Sequence, residues 1–226
     1  MLSGRASWNL TTVFSLHILR LLVGLLLVRV LYPLLFTVTP FIIEITDRFV
    51  VLTLVWLVLR KYRGDVSSLG LSFEHLGPNI VKGVAVGGIL LAISIYSEKM
   101  YTTILLLTPS EHPLVMQVKD ATTWQQLLGP LFLAGVLAPL TEEILYRLFT
   151  FLPMKEQWGF WGGAIASSFV FAVMHFNLYW LSEMMVVGIG LAFIYNWTGS
   201  LISAMVAHSV INISKILMLF FGVSFL

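Results

Sequence analysis

Cysteine is missing altogether, and that one absence removes disulfides, thiolate zinc sites, cysteine nucleophiles and S-acylation together. Charge is scarce as well. Only 11% of the 226 residues are charged, against roughly 25% in an average soluble domain. The 13 basic and 11 acidic residues leave a net charge of +2, and they are scattered, so no basic stripe for nucleic acid exists. No internal repeat and no low-complexity tract interrupts the chain. Apolar residues fill the space: 58% of the composition, with a mean hydropathy of +0.94. The expected class is an all-α, polytopic integral membrane protein, one bundle in contact with the lipid bilayer.

At about 20 apolar residues per span, seven membrane segments can be drawn, over residues 11–38, 40–59, 80–107, 127–152, 159–176, 178–196 and 199–222. The first apolar run is far longer than a signal-peptide core and reads as a retained helix. Glu44, Asp47 and Arg48 read as an interfacial charge cluster at the start of the second helix. Arg60-Lys61-Tyr62-Arg63 closes that helix, and the positive-inside rule puts the loop after it in the cytoplasm. Counting outward, the N-terminus with Arg5 is cytoplasmic and the C-terminus is outside; the membrane expected is the plasma membrane of a prokaryote. Gly83 and Gly87 stand four apart, the spacing by which small residues let helices approach. Thr108 to Gln126, with Glu111 and His112, reads as an outer interfacial cap. His17, His75 and His112 read as isolated imidazoles. Residues 1–226 are expected to form a single membrane domain, with a motif-bearing core over about 127–222.

Within the fourth span lies Leu140-Thr141-Glu142-Glu143-Ile144-Leu145-Tyr146-Arg147. A charge near the centre of a membrane helix costs about 2.5–3.5 kcal/mol on the insertion scale, so three in six residues require a function. Glu143 and Arg147 are four apart and pair on one face. Glu142 points about 100° away from Glu143 and is left free for chemistry. Two further polar residues follow in apolar helices: His175, four after Phe171, and His208, four before Asn212. A carboxylate, two imidazoles and a carboxamide are the groups needed to activate water and to bind an oxyanion. Glu142, His175 and His208 also make a three-ligand set for catalytic zinc, although no His-Glu-x-x-His pattern occurs. With the fifth span drawn over 159–176, His175 falls at its far end, away from a Glu142 in mid-span.

In order and spacing, Glu142-Glu143-x-x-x-Arg147, Phe171-x-x-x-His175 and His208-x-x-x-Asn212 resemble the three motifs of the CPBP family, the CAAX proteases and bacteriocin-processing enzymes. The flank Trp197-Thr-Gly-Ser-Leu-Ile-Ser-Ala is similar too. The motifs lie within about residues 139–212, a third of the chain. The resemblance implies an α-helical intramembrane endopeptidase in which Glu142 and His175 activate water and His208 and Asn212 bind the oxyanion. Glu143 and Arg147 would support them, and Phe171 would form a wall of the site. Such enzymes are described both as metalloproteases and as glutamate-dependent hydrolases, so zinc on Glu142, His175 and His208 stays open. The implied substrate is a peptide or membrane-anchored protein, including a prenylated CAAX-type C-terminus, and the cavity is expected to open to the cytoplasm or sideways to lipid. Two other readings compete: a non-proteolytic scaffold or bacteriocin-immunity-like factor, and a proton-coupled transporter using Glu142 and Glu143. The transporter reading lacks the inverted repeat it needs.

Overall fold

Local signals mark where the helices start and stop. The side chain of Asn9 caps α1 (Leu10–Leu26) by accepting from the Thr12 amide at 3.0 Å, and a π-helical turn and a 3-10 turn extend α1 to Leu34. Thr39 caps α2 (Pro40–Lys61), whose first residue is a proline that needs no amide partner there. Then come α3 (Leu76–Ile104), the short α4 (Pro113–Lys119) and α5 (Trp124–Phe132), opened by a reciprocal Thr123–Gln126 cap. A π-helical turn (Leu133–Leu137) leads into α6 (Ala138–Glu142), and a second π-helical stretch (Glu143–Phe151) leads into α7 (Leu152–Val173). The chain ends in α8 (Leu181–Thr198) and α9 (Leu201–Phe220), separated by Gly199 at φ 68°, a conformation that favours glycine. The computed structural model describes residues 6–110 and 112–223; Arg5 and Glu111 lie outside the described residues.

The described residues form helices and turns without a strand, as the composition requires of a polytopic helical membrane protein. Five stretches are long and apolar enough to cross a membrane: Leu10–Leu34, Leu76–Ile104, Trp124–Val173, Leu181–Thr198 and Leu201–Phe220. The seven expected segments are recovered by two adjustments. Helix α2 has the length, but carries Glu44, Asp47, Arg48, Arg60 and Lys61. The 50-residue stretch is two passes, because the helix breaks at Gly159 (φ 71°, ψ 178°) and doubles back. A Cβ on Gly163 would come within 2.5 Å of the Lys155 amide nitrogen. Outward-facing leucines such as Leu22, Leu25 and Leu34 are 58–77% exposed, the pattern of a lipid-facing surface.

The polypeptide ends of the bundle fall on two faces. On the first, Ala6 donates to Glu156 at 2.7 Å, Leu201 donates to the Gly70 carbonyl at 2.8 Å, and Tyr195 donates to the Leu69 carbonyl at 2.5 Å. On the second, Asn177 donates to Ser110 at 2.8 Å, and His112 stacks on Trp180. Between the faces, α3 lies along α9 by virtue of its glycines. A Cβ on Gly83 would meet the Ser203 carbonyl at 2.8 Å, and one on Gly87 the Ala207 carbonyl at 2.8 Å, whereas Gly88 has nothing within 4 Å. Gly87→Ala therefore lowers stability by about 1–3 kcal/mol, the usual cost of overpacking. Gly88→Ala is neutral or slightly stabilising, since it only removes glycine's backbone freedom. Thermal unfolding of both variants in detergent separates the two outcomes, and equal melting points would remove this account of the interface.

Candidate functional site

The two π-helical stretches frame the Glu142-Glu143 pair, and such wide turns, frequent at functional sites, alter which way neighbouring side chains face. Thr141 tucks its hydroxyl back onto the Leu137 carbonyl at 2.8 Å, so the polar groups of this helix that remain outward are the carboxylates. Both are buried: Glu142 is 6% exposed and Glu143 0%.

Glu142 and Glu143 grip the same imidazole from opposite sides. His208 Nδ1 lies 2.8 Å from Glu143 Oε1, and its Nε2 lies 3.8 Å from Glu142 Oε2. His175 Nε2 stands 4.0 Å from that same Glu142 oxygen, while its Nδ1 meets the Phe171 carbonyl at 2.7 Å. A carbonyl only accepts, so His175 carries its proton on Nδ1 and turns the lone pair of Nε2 to the site. The 3.8 and 4.0 Å separations are too long for direct hydrogen bonds and are of the kind that water bridges. Phe171 is a wall here: its buried ring sits edge-on to His175 at 4.7 Å, with the Arg147 guanidinium 4.9 Å from its centroid. Asn212 donates from Nδ2 to the Ala134 carbonyl at 2.8 Å. That contact uses one of its two amide hydrogens and fixes the other.

The depth mismatch expected for His175 does not arise. The chain doubles back at Gly159, Glu142 lies about as many residues before that break as His175 lies after it, and the two side chains come within 4.0 Å. Arg147 pairs with Glu143 by distance, Nε to Oε2 at 3.1 Å, yet its N–H bonds point elsewhere and no protein atom accepts from its nitrogens. The pair is a charge contact without a hydrogen bond.

Arg48 does not belong to an interfacial cluster: it reaches inward, and its Nη1 lies 2.8 Å from Glu142 Oε1. Glu142 is consequently held on one oxygen and open on the other. Arg48 is flanked by Glu44 at 3.1 Å and Asp47 at 3.8 Å. Asp47 in turn binds Arg20 through two contacts of 2.8 and 2.6 Å, and Arg20 reaches the Tyr146 hydroxyl at 3.0 Å. The first two helices thus build one side of the site. Their signal was present in the sequence, as Glu44, Asp47 and Arg48 are three charges in five residues of an apolar helix.

A cavity of about 610 Å³ runs from Glu142, His175, His208 and Asn212 toward the second face, within the usual size range of ligand sites. Its far wall holds a charged group that sequence reasoning missed. Lys215 of α9 contacts Glu98 of α3 and Glu183 of α8, each at 2.7 Å. The hydroxyls of Ser97 and Ser182 meet beside it and tie α3 to α8. His112, expected to be isolated, lines the cavity. Burial holds its imidazole below the ordinary value; the nearby Glu44 carboxylate opposes this, and His175 adds to the lowering. His17, by contrast, is packing: it is buried, 3.0 Å from the Thr150 hydroxyl and stacked on Tyr146.

Among the described residues, no group of three or more His, Cys, Asp or Glu is arranged to hold a metal ion. The guanidinium 2.8 Å from Glu142 would also repel a cation bound to the same carboxylate. Arg48 thus disfavours a zinc ion on Glu142 as these side chains are placed.

Fold and site together define a polytopic helical membrane protein with a buried carboxylate–imidazole centre at the end of a cavity. Residues 124–214 match the family model described as type II CAAX prenyl endopeptidase Rce1-like. The match covers 91 of the 226 residues and supports the resemblance to the CPBP family. No curated protein and no solved structure matches the chain. The matched segment carries all three motifs and leaves Arg20, Asp47, Arg48 and Glu98 outside it.

Proposed function

We propose that the protein is an intramembrane endopeptidase that hydrolyses a peptide bond with water activated by Glu142 and His175. The observation that carries the reading is the convergence of Glu142 Oε2 and two imidazole Nε2 atoms, within 3.8 and 4.0 Å, on a cavity large enough for a peptide segment. A water hydrogen-bonded to Glu142 and to the lone pair of His175 loses its proton to Glu142 as its oxygen attacks the carbonyl carbon. The developing oxyanion lies against His208, which Glu143 supports from behind, and against the free amide hydrogen of Asn212. Glu142 then passes its proton to the departing nitrogen as the C–N bond breaks. The proton taken from water is the one returned to the leaving nitrogen, and the water's other hydrogen stays with its oxygen on the new carboxyl group.

The test uses the full chain purified in detergent with a membrane-anchored peptide, in water enriched in heavy oxygen. The expected result is a new C-terminus carrying a single solvent oxygen, at a rate unchanged by chelator and by prior metal removal. Loss of activity to chelator, restored by zinc, would sink the metal-free mechanism. Absence of any cleavage across a broad peptide library, from folded protein, would favour the scaffold reading.

Arg48 is expected to be a positioning residue for this reaction. Arg48→Gln frees the carboxylate of Glu142 to swing and lowers kcat by about ten- to a hundredfold, on the scale that misplaced groups cost, with little change in KM. Arg48→Lys restores part of the loss, because it keeps the charge without the planar fork. A change confined to KM would instead make Arg48 a substrate contact.

A further inference from the structure

We infer that Arg20 of α1 is a positioning residue for Glu142, because it holds Asp47 away from Arg48 and so leaves Arg48 to that carboxylate; this rests on the peptidase reading and brings into the site a helix outside residues 124–214. One nitrogen has two claimants here. Arg48 Nη1 lies 2.8 Å from Glu142 Oε1 and 3.8 Å from Asp47 Oδ2. Both claimants are carboxylates, so charge alone does not choose between them. The difference lies in what else each oxygen binds.

Asp47 Oδ2 is already taken. Arg20 Nη2 donates to it at 2.6 Å, and Arg20 Nε donates to Oδ1 at 2.8 Å. Two parallel contacts from one guanidinium form a fork that supplies direction as well as energy. The remaining arm of Arg20 anchors the fork itself. Its Nη1 donates at 3.0 Å to the hydroxyl of Tyr146, a buried residue of the π-helical stretch that follows Glu142. One turn earlier on α1, His17 stands 3.0 Å from the Thr150 hydroxyl of the same stretch. Two polar contacts therefore pin α1 to the carboxylate-bearing helix, and Arg20 is not free to follow Asp47 toward Arg48.

Without Arg20 the balance changes. Asp47 keeps its charge, and the cation nearest to it becomes Arg48, 3.8 Å away. A short rotation of the aspartate closes that gap. Arg48 Nη2 is engaged already by Glu44 at 3.1 Å. With Asp47 on Nη1, both arms of the guanidinium would be turned to α2, and Glu142 would lose the contact that fixes Oε1. With Arg20 in place the charges alternate instead, Arg20–Asp47–Arg48–Glu142, and each group has its own opposite neighbour. An ion pair that merely tied α1 to α2 would not need its aspartate oxygen to share a nitrogen with Glu142.

The test compares variants of the full chain in detergent, with kcat and KM on a membrane-anchored peptide measured per mole of folded protein. Arg20→Met is expected to lower kcat about tenfold with KM unchanged, on the scale that a misplaced group costs. Two comparisons separate positioning from a structural tie. In an Arg48→Gln background Arg20→Met costs nothing further, since the residue it acts through is gone. Asp47→Asn added to Arg20→Met restores most of kcat, because a neutral amide competes poorly for Arg48 Nη1. Losses that multiply, or a melting temperature restored without kcat, overturn the proposal. Should Arg20→Met fail to fold, Arg20→Lys carries the same comparisons: it keeps the charge without the planar fork, and it loses activity only while Arg48 is present. A second readout needs no catalysis. In protein with isotope-labelled arginine, the Arg48 side-chain resonance, assigned by its loss in Arg48→Gln, is expected to shift on Glu142→Gln when Arg20 is present. In the Arg20→Met background it is expected to stay in place. Equal shifts in both backgrounds refute the role of Arg20 alone, whatever the activity. The expected shifts in a protein that cleaves nothing refute the peptidase reading alone.

Discussion

Glutamine in place of Glu142 removes peptide hydrolysis and leaves the protein folded. The side chains have the same shape, so the amide oxygen of the variant still accepts from Arg48, now 2.8 Å from Oε1. Arg48 keeps its contacts with Glu44 at 3.1 Å and Asp47 at 3.8 Å, which spares the fold a buried cation without an opposing charge. What disappears is the ability to take a proton from water. General acid–base assistance is worth about 10²–10⁴ in rate, and in the proposed mechanism one carboxylate both receives the proton and returns it to the leaving nitrogen. The expected fall in kcat is therefore about 10³–10⁴, with KM little altered and a melting temperature close to wild type. Initial rates per mole of folded enzyme decide the matter. A rate within tenfold of wild type would remove Glu142 from the chemistry and shift the base to His175. Glu142→Asp serves as the companion: it keeps the charge, pulls it back by one methylene toward the helix, and is expected to retain a small fraction of activity.

The residues this prediction concerns were legible because charge in an apolar helix is costly. Glu142, Glu143, Arg147, His175, His208 and Asn212 stand out from their surroundings, and spacing of four put each pair on one face. The helical architecture was legible for the same reason, read in reverse, from the long runs between the charges. Three things were not. The π-helical turns at Leu133–Leu137 and Glu143–Phe151 set the directions of the carboxylates, and no residue type announces them. The positive-φ break at Gly159 falls where one span was drawn to begin, but residue type does not say how the two passes align there, so the depth of His175 relative to Glu142 was not legible. Arg48 and the Glu98–Glu183–Lys215 group depend on contacts between residues as much as 117 positions apart. Periodicity is local and does not report such pairs. The interfacial reading of Glu44, Asp47 and Arg48 failed because a helix end in sequence can still lie beside a cavity in space, as Glu44 and Arg48 do.

Arg147→Ala is expected to cost more stability than any other single change in the molecule. The side chain is fully buried, and so is Glu143, its neighbour at 3.1 Å. Removing one partner of a buried ion pair typically costs about 3–5 kcal/mol, because the other charge is left in a medium that solvates it poorly. Glu143 would retain only His208 Nδ1, 2.8 Å from its other oxygen, and Phe171 would lose the guanidinium 4.9 Å from its ring. The guanidinium makes no hydrogen bond to a protein acceptor, so its contribution is mainly opposing charge and volume. That distinguishes it from a hydrogen-bonded clamp and yields a second expectation. The double variant Glu143→Gln, Arg147→Met removes both charges and refills the volume, and it should recover most of the stability lost in either single variant. The coupling between the two positions is expected at the upper end of the usual 0.5–3 kcal/mol for contacting residues. Activity should not return with stability, since a glutamine oxygen is a weaker acceptor for His208 Nδ1 than the carboxylate 2.8 Å from it and holds the ring less firmly. Denaturant or thermal unfolding of the four proteins in one detergent measures the cycle. Additive losses, with no recovery in the double variant, would show that Arg147 acts through packing against Phe171 and not through its charge.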